Sequence, residues 1–278
     1  MPSFTARLQN ACAANQSLVC VGLDPDPARM PIDDVVEFNR AIVESTADQA
    51  CAYKPNLAFY EALGMPGLRA LESTVALIRQ SAPSAVIIGD AKRGDIGPSA
   101  EAYAKAMFQV WNFDAVTLNA WGGRDTVEPF LGDEQRGVFI WCRGSNPGSV
   151  DLQDLKIESD SGKVPLYQHL AAEAQTWNAK DNLGLVVGAT FPEQLAQVRT
   201  LGATMPLLIP GVGAQGGDLE AAIRNGTDAE GRLAIINSSR GIIYASTGPD
   251  FAEAARRAAS DLREAINRVL DAEGKGWP

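Results

Sequence analysis

The sequence predicts an α/β protein built as a single (β/α)8 TIM barrel with a long loop after strand five. Eight short segments rich in Val, Ile and Leu alternate with segments of helical spacing along the 278 residues. Eight such units fit the roughly 250 residues of a typical (β/α)8 barrel. The short segments lack strict alternation of apolar and polar residues, which is typical of parallel strands buried on both faces. Because local pattern does not show whether a sheet closes, an open doubly wound sheet is the alternative fold.

The predicted strands and helices follow one another in a regular order. The eight strands are 18–24, 51–57, 85–91, 113–119, 137–143, 183–189, 206–212 and 233–239. The helical patterns after the first three strands are DDVVEFNRAIVESTAD, LRALESTVALIRQ and AEAYAKAMF. The later ones are PLYQHLAAEAQTW, PEQLAQVRTL, DLEAAIRN and DFAEAARRAASDLREAINRVL, and the weakest pattern lies in 120–136. No linker or low-complexity segment interrupts the chain, so we expect residues 1–278 to form one domain.

One connection, residues 146–165, is longer than the others. Its sequence NPGSVDLQDLKIESDSGKVP is polar, acidic and rich in Gly, Pro and Ser. Loops that follow barrel strands lie on the catalytic face of this fold. The segment is therefore either a tolerated surface insertion or a loop that folds over a ligand.

Charge and cysteine content argue against several classes of function. The net charge of −10 disfavours a nucleic-acid binder and attachment to an anionic membrane surface. No apolar run approaches the roughly 18 residues of a membrane span, and the N-terminus shows no signal-peptide pattern. The single histidine is His169, in a helical pattern, and the cysteines form no CxxC pair, which disfavours a zinc site. We expect a cytoplasmic protein with free thiols, and a structural or surface role for His169.

Charged residues stand at the ends of the first three predicted strands. Asp90 and Lys92 are two residues apart in IIGDAKRGDIG, so an extended strand points both to one face, and Asp95 follows in the turn. Lys54 ends the second strand and Asp24 the first. A lysine flanked by carboxylates stays charged, which suits a proton donor and not a Schiff-base nucleophile. The alternative is a solvated turn with a salt bridge.

The seventh and eighth units predict a site for a phosphorylated ligand. The turn IPGVGAQGGD contains Gly211-x-Gly213-x-x-Gly216, which matches a dinucleotide fingerprint but lies in the seventh unit instead of the first. Gln215 in this turn and Arg240 after the eighth strand can bind phosphate oxygens. Barrels of this kind frequently bind phosphate with these two loops. The alternative is a turn whose glycines only permit tight geometry.

Polar residues at two further strand ends are candidates for contacts with a heterocycle. Ser145 and Asn146 follow the fifth strand, and Thr117 and Asn119 end the fourth. Such groups can donate to and accept from a ring edge. They are also ordinary turn residues.

Taken together, the motifs resemble the orotidine 5′-phosphate decarboxylase family, which supplies the last enzyme of UMP synthesis. VGLDPDP, YKPNLAFYEALG, GDAKRGDIG, RGSNPG, VVGAT, IPGVGAQGGD and NSSRGIIYAS occur in the family's order and span nearly the whole barrel. The KPN and DAKRGDIG forms, with the long fifth loop, resemble its longer bacterial subgroup (type 2). Ser99 replaces a threonine common in relatives, and VTLNAWGG lacks the histidine common in shorter ones.

The resemblance implies cofactor-independent decarboxylation of orotidine 5′-monophosphate (OMP) to UMP, with no metal. Lys92 would protonate carbon 6 of the pyrimidine as carbon dioxide leaves, and Asp90 would lie beside the scissile carboxylate. Lys54 and Asp24 would contact the ribose hydroxyls. Asp95 would reach into the site of a neighbouring subunit, which implies a homodimer.

The same resemblance implies the remaining substrate contacts. Ser145 would read the pyrimidine edge, and Gln215, Gly216 and Arg240 would hold the phosphate. The expected substrate-binding set is completed by Ser99 and Asn119.

Two other functions remain open from the sequence. A related barrel could act on a sugar phosphate through a metal-bound enediolate, with an Asp and Glu pair on Mg²⁺. The lysine of KPN, where such relatives supply a glutamate, disfavours that reaction. A barrel that binds a nucleotide without catalysis is the other alternative, although a pure binder has no evident need for alternating buried charges.

Overall fold

The computed structural model describes residues 2–159, 162–212 and 217–278. The strands of the described residues are β1 (Val19–Leu23), β2 (Ala52–Pro55), β3 (Val86–Arg93), β4 (Ala115–Leu118), β5 (Gly137–Arg143), β6 (Lys156–Ser159), β7 (Gly162–Pro165), β8 (Leu183–Val187), β9 (Leu207–Pro210) and β10 (Ala234–Ser238). All except β6 and β7 form one closed barrel in the order β1-β10-β9-β8-β5-β4-β3-β2. The eight predicted strands and the closed barrel are therefore confirmed, and the open sheet is wrong.

Helices surround this barrel. The α-helices of the described residues are α1 (Phe4–Asn15), α2 (Val35–Thr46), α3 (Leu57–Ala62), α4 (Gly64–Ser81), α5 (Gly97–Lys105), α6 (Arg124–Val127), α7 (Val150–Gln153), α8 (Leu166–Trp177), α9 (Pro192–Leu201), α10 (Leu219–Gly226), α11 (Arg240–Ile243) and α12 (Phe251–Ala272). The weak segment between β4 and β5 holds only α6 and a short 3-10 turn, Glu128–Phe130. Its weak periodicity thus corresponds to little helix.

The core consists of the barrel strands and the inner faces of the helices. β1, β2, β4 and β8 are buried at every position, as their mainly apolar composition predicts, although β2 includes Lys54 and β4 includes Thr117. Helix α1, which the sequence analysis did not predict, begins at Phe4 and is capped by Ser3, whose hydroxyl accepts from Ala6 N at 3.2 Å. The Phe4 ring meets Phe139 edge-on at 5.8 Å and lies against Gly137, where β5 begins. This helix therefore covers the barrel at the end opposite the charged strand ends.

The predicted long loop after strand five contains regular structure. Pro147–Ser149 forms a 3-10 turn that leads into α7, and β6 then pairs antiparallel with β7. Exposed and half-buried residues alternate along Lys156–Ser159, which is the two-residue period of a strand. The segment is thus a short helix followed by a hairpin, each with its own internal hydrogen bonds.

The cysteines and the single histidine lie where the sequence suggested. All four cysteines are free and buried, and burial raises the pKa of Cys20 and of Cys142 to about 12. His169 is half-buried on α8. Among the described residues, no helix is both long enough and apolar enough to cross a membrane.

Candidate active site

The charged residues at the strand ends meet at one rim of the barrel. Lys54 lies in β2, Asp90 and Lys92 lie in β3, and Asp24 directly follows β1. Because the barrel strands are parallel, their carboxyl ends share one face, which is the catalytic face of this fold. Asp24 and Asp90 therefore line one cavity, although they are 66 positions apart in the sequence.

Asp90 is the centre of a chain of charges. Its Oδ2 lies 2.7 Å from Lys54 Nζ, and its Oδ1 lies 2.6 Å from Lys92 Nζ. Asp90 and Lys54 are buried, whereas the side chain of Lys92 is 42% exposed. Of these three charged groups, the ammonium group of Lys92 is therefore the most accessible to a ligand.

Lys54 and Asp90 hold each other in the charged state, and Lys92 adds to the effect on Asp90. Burial alone would lower the pKa of Lys54, but the carboxylates of Asp90 and Asp24 outweigh it and keep that pKa above its ordinary value. Burial alone would raise the pKa of Asp90, but Lys54 and Lys92 outweigh it and hold that pKa well below its ordinary value. The predicted alternation of charges is therefore present, with Asp90 ionised and Lys54 protonated at neutral pH.

Asp24 faces the same site without a bond to the lysine. Its Oδ1 is buried and accepts no hydrogen bond from the described residues. The loop that carries it is fixed by Tyr244, whose hydroxyl donates to the Asp24 carbonyl at 2.8 Å and accepts from Asp26 N at 2.6 Å. A buried acceptor held in this way is suited to a ligand hydroxyl, because such oxygens in proteins are almost always hydrogen-bonded.

A bulge in β3 places Asp90 and Lys92. β3 pairs with β4 through Gly89 and Val116, and the pairing resumes at Arg93 and Leu118. Asp90, Ala91 and Lys92 therefore stand opposite a single residue of β4, which is Thr117. The prediction that Asp90 and Lys92 lie on the same face is therefore correct, but the predicted cause, regular strand alternation, is wrong. The two side chains meet because the strand bulges between them.

Two adjoining cavities open at this rim. The first, of about 200 Å³, contains Lys92 and Ser145, and both polar side chains, such as Thr117 and Arg143, and apolar ones complete its wall. The second, of about 170 Å³, contains Asp24 and Arg240. Lys54, Asp90 and Pro210 line both. One ligand could therefore occupy both cavities, with Lys54 and Asp90 near its middle.

The structure brings together most of the predicted site residues that it describes. The residues in the two cavities are Asp24, Lys54, Asp90, Lys92, Ser145 and Arg240. Gln215 and Gly216 lie outside the described residues.

Three predicted residues lie away from these cavities in the chain. Asp95 and Ser99 are exposed, and Asp95 Oδ1 accepts from Ile96 N at 2.8 Å. Asn119 Oδ1 accepts from Trp121 N at 3.0 Å, and Asn119 lines a separate cleft of about 790 Å³ beside α8. Asp95 and Ser99 therefore touch neither cavity of their own chain.

Arg143, the last residue of β5, was not among the predicted site residues. Its guanidinium is fully buried and lies 4.1 Å from the centre of the Phe191 ring. It donates to Ser149, to Gln153 Oε1 at 3.0 Å and to Asp154 Oδ2 at 3.2 Å. The signal was present in WCRGSNPGS, where an arginine ends an apolar strand and polar side chains follow it closely.

This network ties α7 to the end of β5. Gln153 Oε1 accepts from Arg143 and also from Gly144 N at 2.8 Å, directly before Ser145. The position of Ser145 in the cavity wall thus depends on a helix of the long connection.

Thr117 also has a different partner from the one expected. Its hydroxyl donates to Asp90 Oδ1 at 2.8 Å and accepts from Lys92 N at 3.0 Å. Its hydroxyl is therefore bonded within the charge chain, and Thr117 also lines the first cavity.

Comparison with known proteins agrees with this geometry. The model of the family described as Orotidine 5'-phosphate decarboxylase / HUMPS family matches residues 17–258. An orotidine 5'-phosphate decarboxylase of Dehalococcoides mccartyi is 49% identical over 265 residues, which are 95% of this chain and 97% of the relative. One of Roseiflexus castenholzii is 48% identical over 277 residues, which are 97% and 99%. The solved structure of Leishmania donovani OMP decarboxylase matches with a TM-score of 0.84 at 38% identity, over 96% of this chain and 99% of that one. The chain therefore belongs to the orotidine 5′-phosphate decarboxylase / HUMPS family.

Proposed function

We propose that this chain decarboxylates OMP to UMP with Lys92 as the proton donor to carbon 6 and with no metal or organic cofactor. The overall reaction, a step of pyrimidine synthesis, follows from the family and from relatives that match almost the whole chain. The observation that supports the role of Lys92 is its position: an ammonium group 2.6 Å from Asp90 that reaches into the cavity.

The chemistry explains why a fixed ammonium group is needed. The bond between carbon 6 and the carboxylate breaks, and its electron pair stays on a vinylic ring carbon. A proton then passes from Lys92 Nζ to carbon 6, carbon dioxide leaves, and the neutral lysine regains a proton from solvent. Enzymes lower barriers by roughly 8–23 kcal/mol, and preorganised charge is usually the largest contribution. Asp90 supplies that preorganisation because its carboxylate fixes the ammonium group of Lys92 at 2.6 Å.

The two cavities suggest how OMP is held. In this proposal Ser145 binds the pyrimidine edge beside Lys92, and Arg240 binds the phosphate together with Gln215 and Gly216. The ribose then lies between them, next to Lys54 and the unpaired Oδ1 of Asp24. Binding energy from the remote phosphate can order the site around the reacting carbon.

We also propose a homodimer in which Asp95 and Ser99 complete the site of the partner. Asp95 lies outside both cavities of its own chain, on a surface with exposed apolar side chains. Ile96, the next residue, is 65% exposed, and Trp121, which follows β4 at the same rim, is 75% exposed. Large exposed apolar side chains at one rim are typical of a surface that a partner covers.

Three broader assignments belong to the same proposal. The helix and hairpin after β5 favour the longer bacterial subgroup (type 2). Free buried cysteines favour a cytoplasmic protein. Packing of α12 against α2, with Arg256 bound to Asp48 at 2.7 Å, favours one domain for residues 1–278.

The test is turnover of OMP, followed by loss of its ultraviolet absorbance, with EDTA present. We expect turnover in the wild type and none above background in Lys92→Ala, while UMP binding is retained. Lys180→Ala, an exposed lysine that precedes β8 at the opposite rim, is the control and should keep full activity.

Each other outcome has a definite meaning. Activity that disappears with EDTA would point to the metal-dependent sugar-phosphate chemistry that the sequence left open. Binding of UMP with no turnover in the wild type would point to a nucleotide sensor. Wild-type turnover in Lys92→Ala would remove Lys92 as the proton donor.

A further inference from the structure

The bulge in β3 is closed by a side chain instead of by the backbone of β4. In a parallel sheet each backbone N–H donates to a carbonyl of the neighbouring strand. At the bulge, Lys92 N instead donates to Thr117 Oγ1 at 3.0 Å, and backbone bonding returns with Asn119 N to the Arg93 carbonyl at 2.8 Å. Thr117 itself remains in regular register with Phe139 of β5. The irregularity therefore belongs to β3, and a regular strand supports it.

Lys92 has an unusual backbone conformation at this point. Its φ angle is +45°, in the left-handed region that residues with a Cβ rarely adopt. Such a conformation persists only where the surroundings hold it, and it is common at functional sites. The hydrogen bond from Lys92 N to Thr117 Oγ1 restrains the backbone at Lys92.

The same hydroxyl is bound to the acid that fixes the lysine side chain. Thr117 is buried, and its Oγ1 lies 2.8 Å from Asp90 Oδ1, the oxygen that also accepts from Lys92 Nζ. An ionised carboxylate cannot donate, so the single hydroxyl proton must point to Asp90 and a lone pair must face Lys92 N. One hydroxyl thus links the backbone of Lys92 to the carboxylate that holds its ammonium group.

We propose that Thr117 is a positioning residue for the decarboxylation, and this inference rests on the function proposed for Lys92. Thr117 sets the backbone of Lys92 and the orientation of Asp90 together, so that Nζ is held where carbon 6 is protonated. Although Thr117 also lines the first cavity, its hydroxyl is bonded to Asp90 and to Lys92 N, so we expect it to act through these two residues. Its loss should therefore slow the chemical step and leave nucleotide affinity nearly unchanged.

The test compares two substitutions at this position. Thr117→Val has the same shape without the hydroxyl, and Thr117→Ser keeps the hydroxyl without the methyl group. Misplacement of a reacting group by about 1 Å can cost on the order of 100-fold in rate. We expect Thr117→Val to lower kcat by about 10- to 100-fold. Thr117→Ser should stay near the wild-type kcat, and both variants should bind UMP like the wild type.

Thr74→Val is the matched control for the loss of a buried hydroxyl. Thr74 Oγ1 also makes two buried hydrogen bonds, accepting from Asn39 Nδ2 at 2.9 Å and donating to the Ala70 carbonyl at 2.7 Å. It lies in α4, outside both cavities. We expect it to lower the melting temperature about as much as Thr117→Val does, with kcat unchanged.

The outcomes separate this inference from the proposed function. If Lys92→Ala is inactive but Thr117→Val keeps the wild-type kcat, Thr117 has no positioning role. Equal loss in the Val and Ser variants also overturns the inference, because the hydroxyl is then not the cause. If Thr117→Val does not fold, Thr117→Ala and Thr117→Ser are compared, and equal kcat values overturn it. Full activity in Lys92→Ala defeats the proposed function itself.

Discussion

Replacing Asp90 with asparagine should cost more stability than replacing its buried partner Lys54 with methionine. Asp90→Asn removes the carboxylate from both ammonium groups, and Lys54, whose side chain is only 5% exposed, is left without a bonded anion. Lys54→Met leaves Asp90 bound to Lys92 and to the Thr117 hydroxyl. The asymmetry follows from the number of partners that each residue keeps.

The expected losses in the free energy of unfolding follow from these contacts. Leaving a buried charge without its partner costs about 3–5 kcal/mol, which is the expected loss for Asp90→Asn. Losing one charge-assisted hydrogen bond costs about 1.5–3 kcal/mol, the expected loss for Lys54→Met. At about 2–4 °C per kcal/mol for a chain of this size, Asp90→Asn should lower Tm by about 6–20 °C.

Chemical denaturation and OMP turnover together form the assay. Asp114→Asn is the control, because Asp114 is a buried carboxylate between two cations, 2.6 Å from both Arg7 and Arg79. Those arginines are each 31% exposed, so water can replace the lost carboxylate. We expect Asp114→Asn to fold and turn over OMP, and Asp90→Asn to be inactive. A larger stability loss in Lys54→Met than in Asp90→Asn would refute the reasoning.

Three further predictions concern the dimer, the phosphate and the long connection. Asp95→Asn and Lys92→Ala should each be inactive, and a random mixture of their subunits should recover about a quarter of wild-type activity, because each hybrid dimer has one intact site of two. No recovery after verified subunit exchange would place Asp95 outside the partner's site. Orotidine without its phosphate should show a lower kcat as well as a higher KM, and an unchanged kcat would confine the phosphate to binding. Arg143→Met should raise KM about tenfold and speed amide exchange in residues 144–155, because α7 loses its anchor. Arg232→Met removes another arginine stacked on an aromatic ring, that of Trp277, and should leave KM and the amide exchange of residues 144–155 unchanged.

The barrel could be predicted because its signal is local. Each barrel strand is a short run of Val, Ile and Leu, and the strand ends carry their charges in the sequence itself. Helix α1 and the β6–β7 hairpin were missed because neither has a strong apolar period. The apolar residues of α1 are not concentrated on one face, and β6 and β7 hold only exposed and half-buried residues. Their positions depend on packing against the rest of the chain.

The fine structure of the site could not be predicted for a different reason. The bulge in β3 depends on Thr117, 25 residues away from Lys92, and no spacing rule in IIGDAKRGDIG indicates it. The anchor of α7 depends on Arg143 and Phe191, 48 positions apart, which meet only in the closed barrel. Residue types were thus readable from the sequence, whereas the contacts that orient them are set by the register between strands.

An acidic protein that binds a dianionic nucleotide needs a local excess of positive charge, and the two cavities provide one. Their walls contain four cationic side chains, Lys54, Lys92, Arg143 and Arg240, and two carboxylates, Asp24 and Asp90, although the chain carries a net charge of −10. Asp90 neutralises much of the charge of the lysine pair, and Asp154 that of Arg143. Arg240, which has no salt bridge to any described residue, is then the cation most available to a phosphate. In the proposed binding mode, a substrate held by its phosphate there extends its ring toward Lys92, so the charge pattern of the site would also set the direction in which the nucleotide lies.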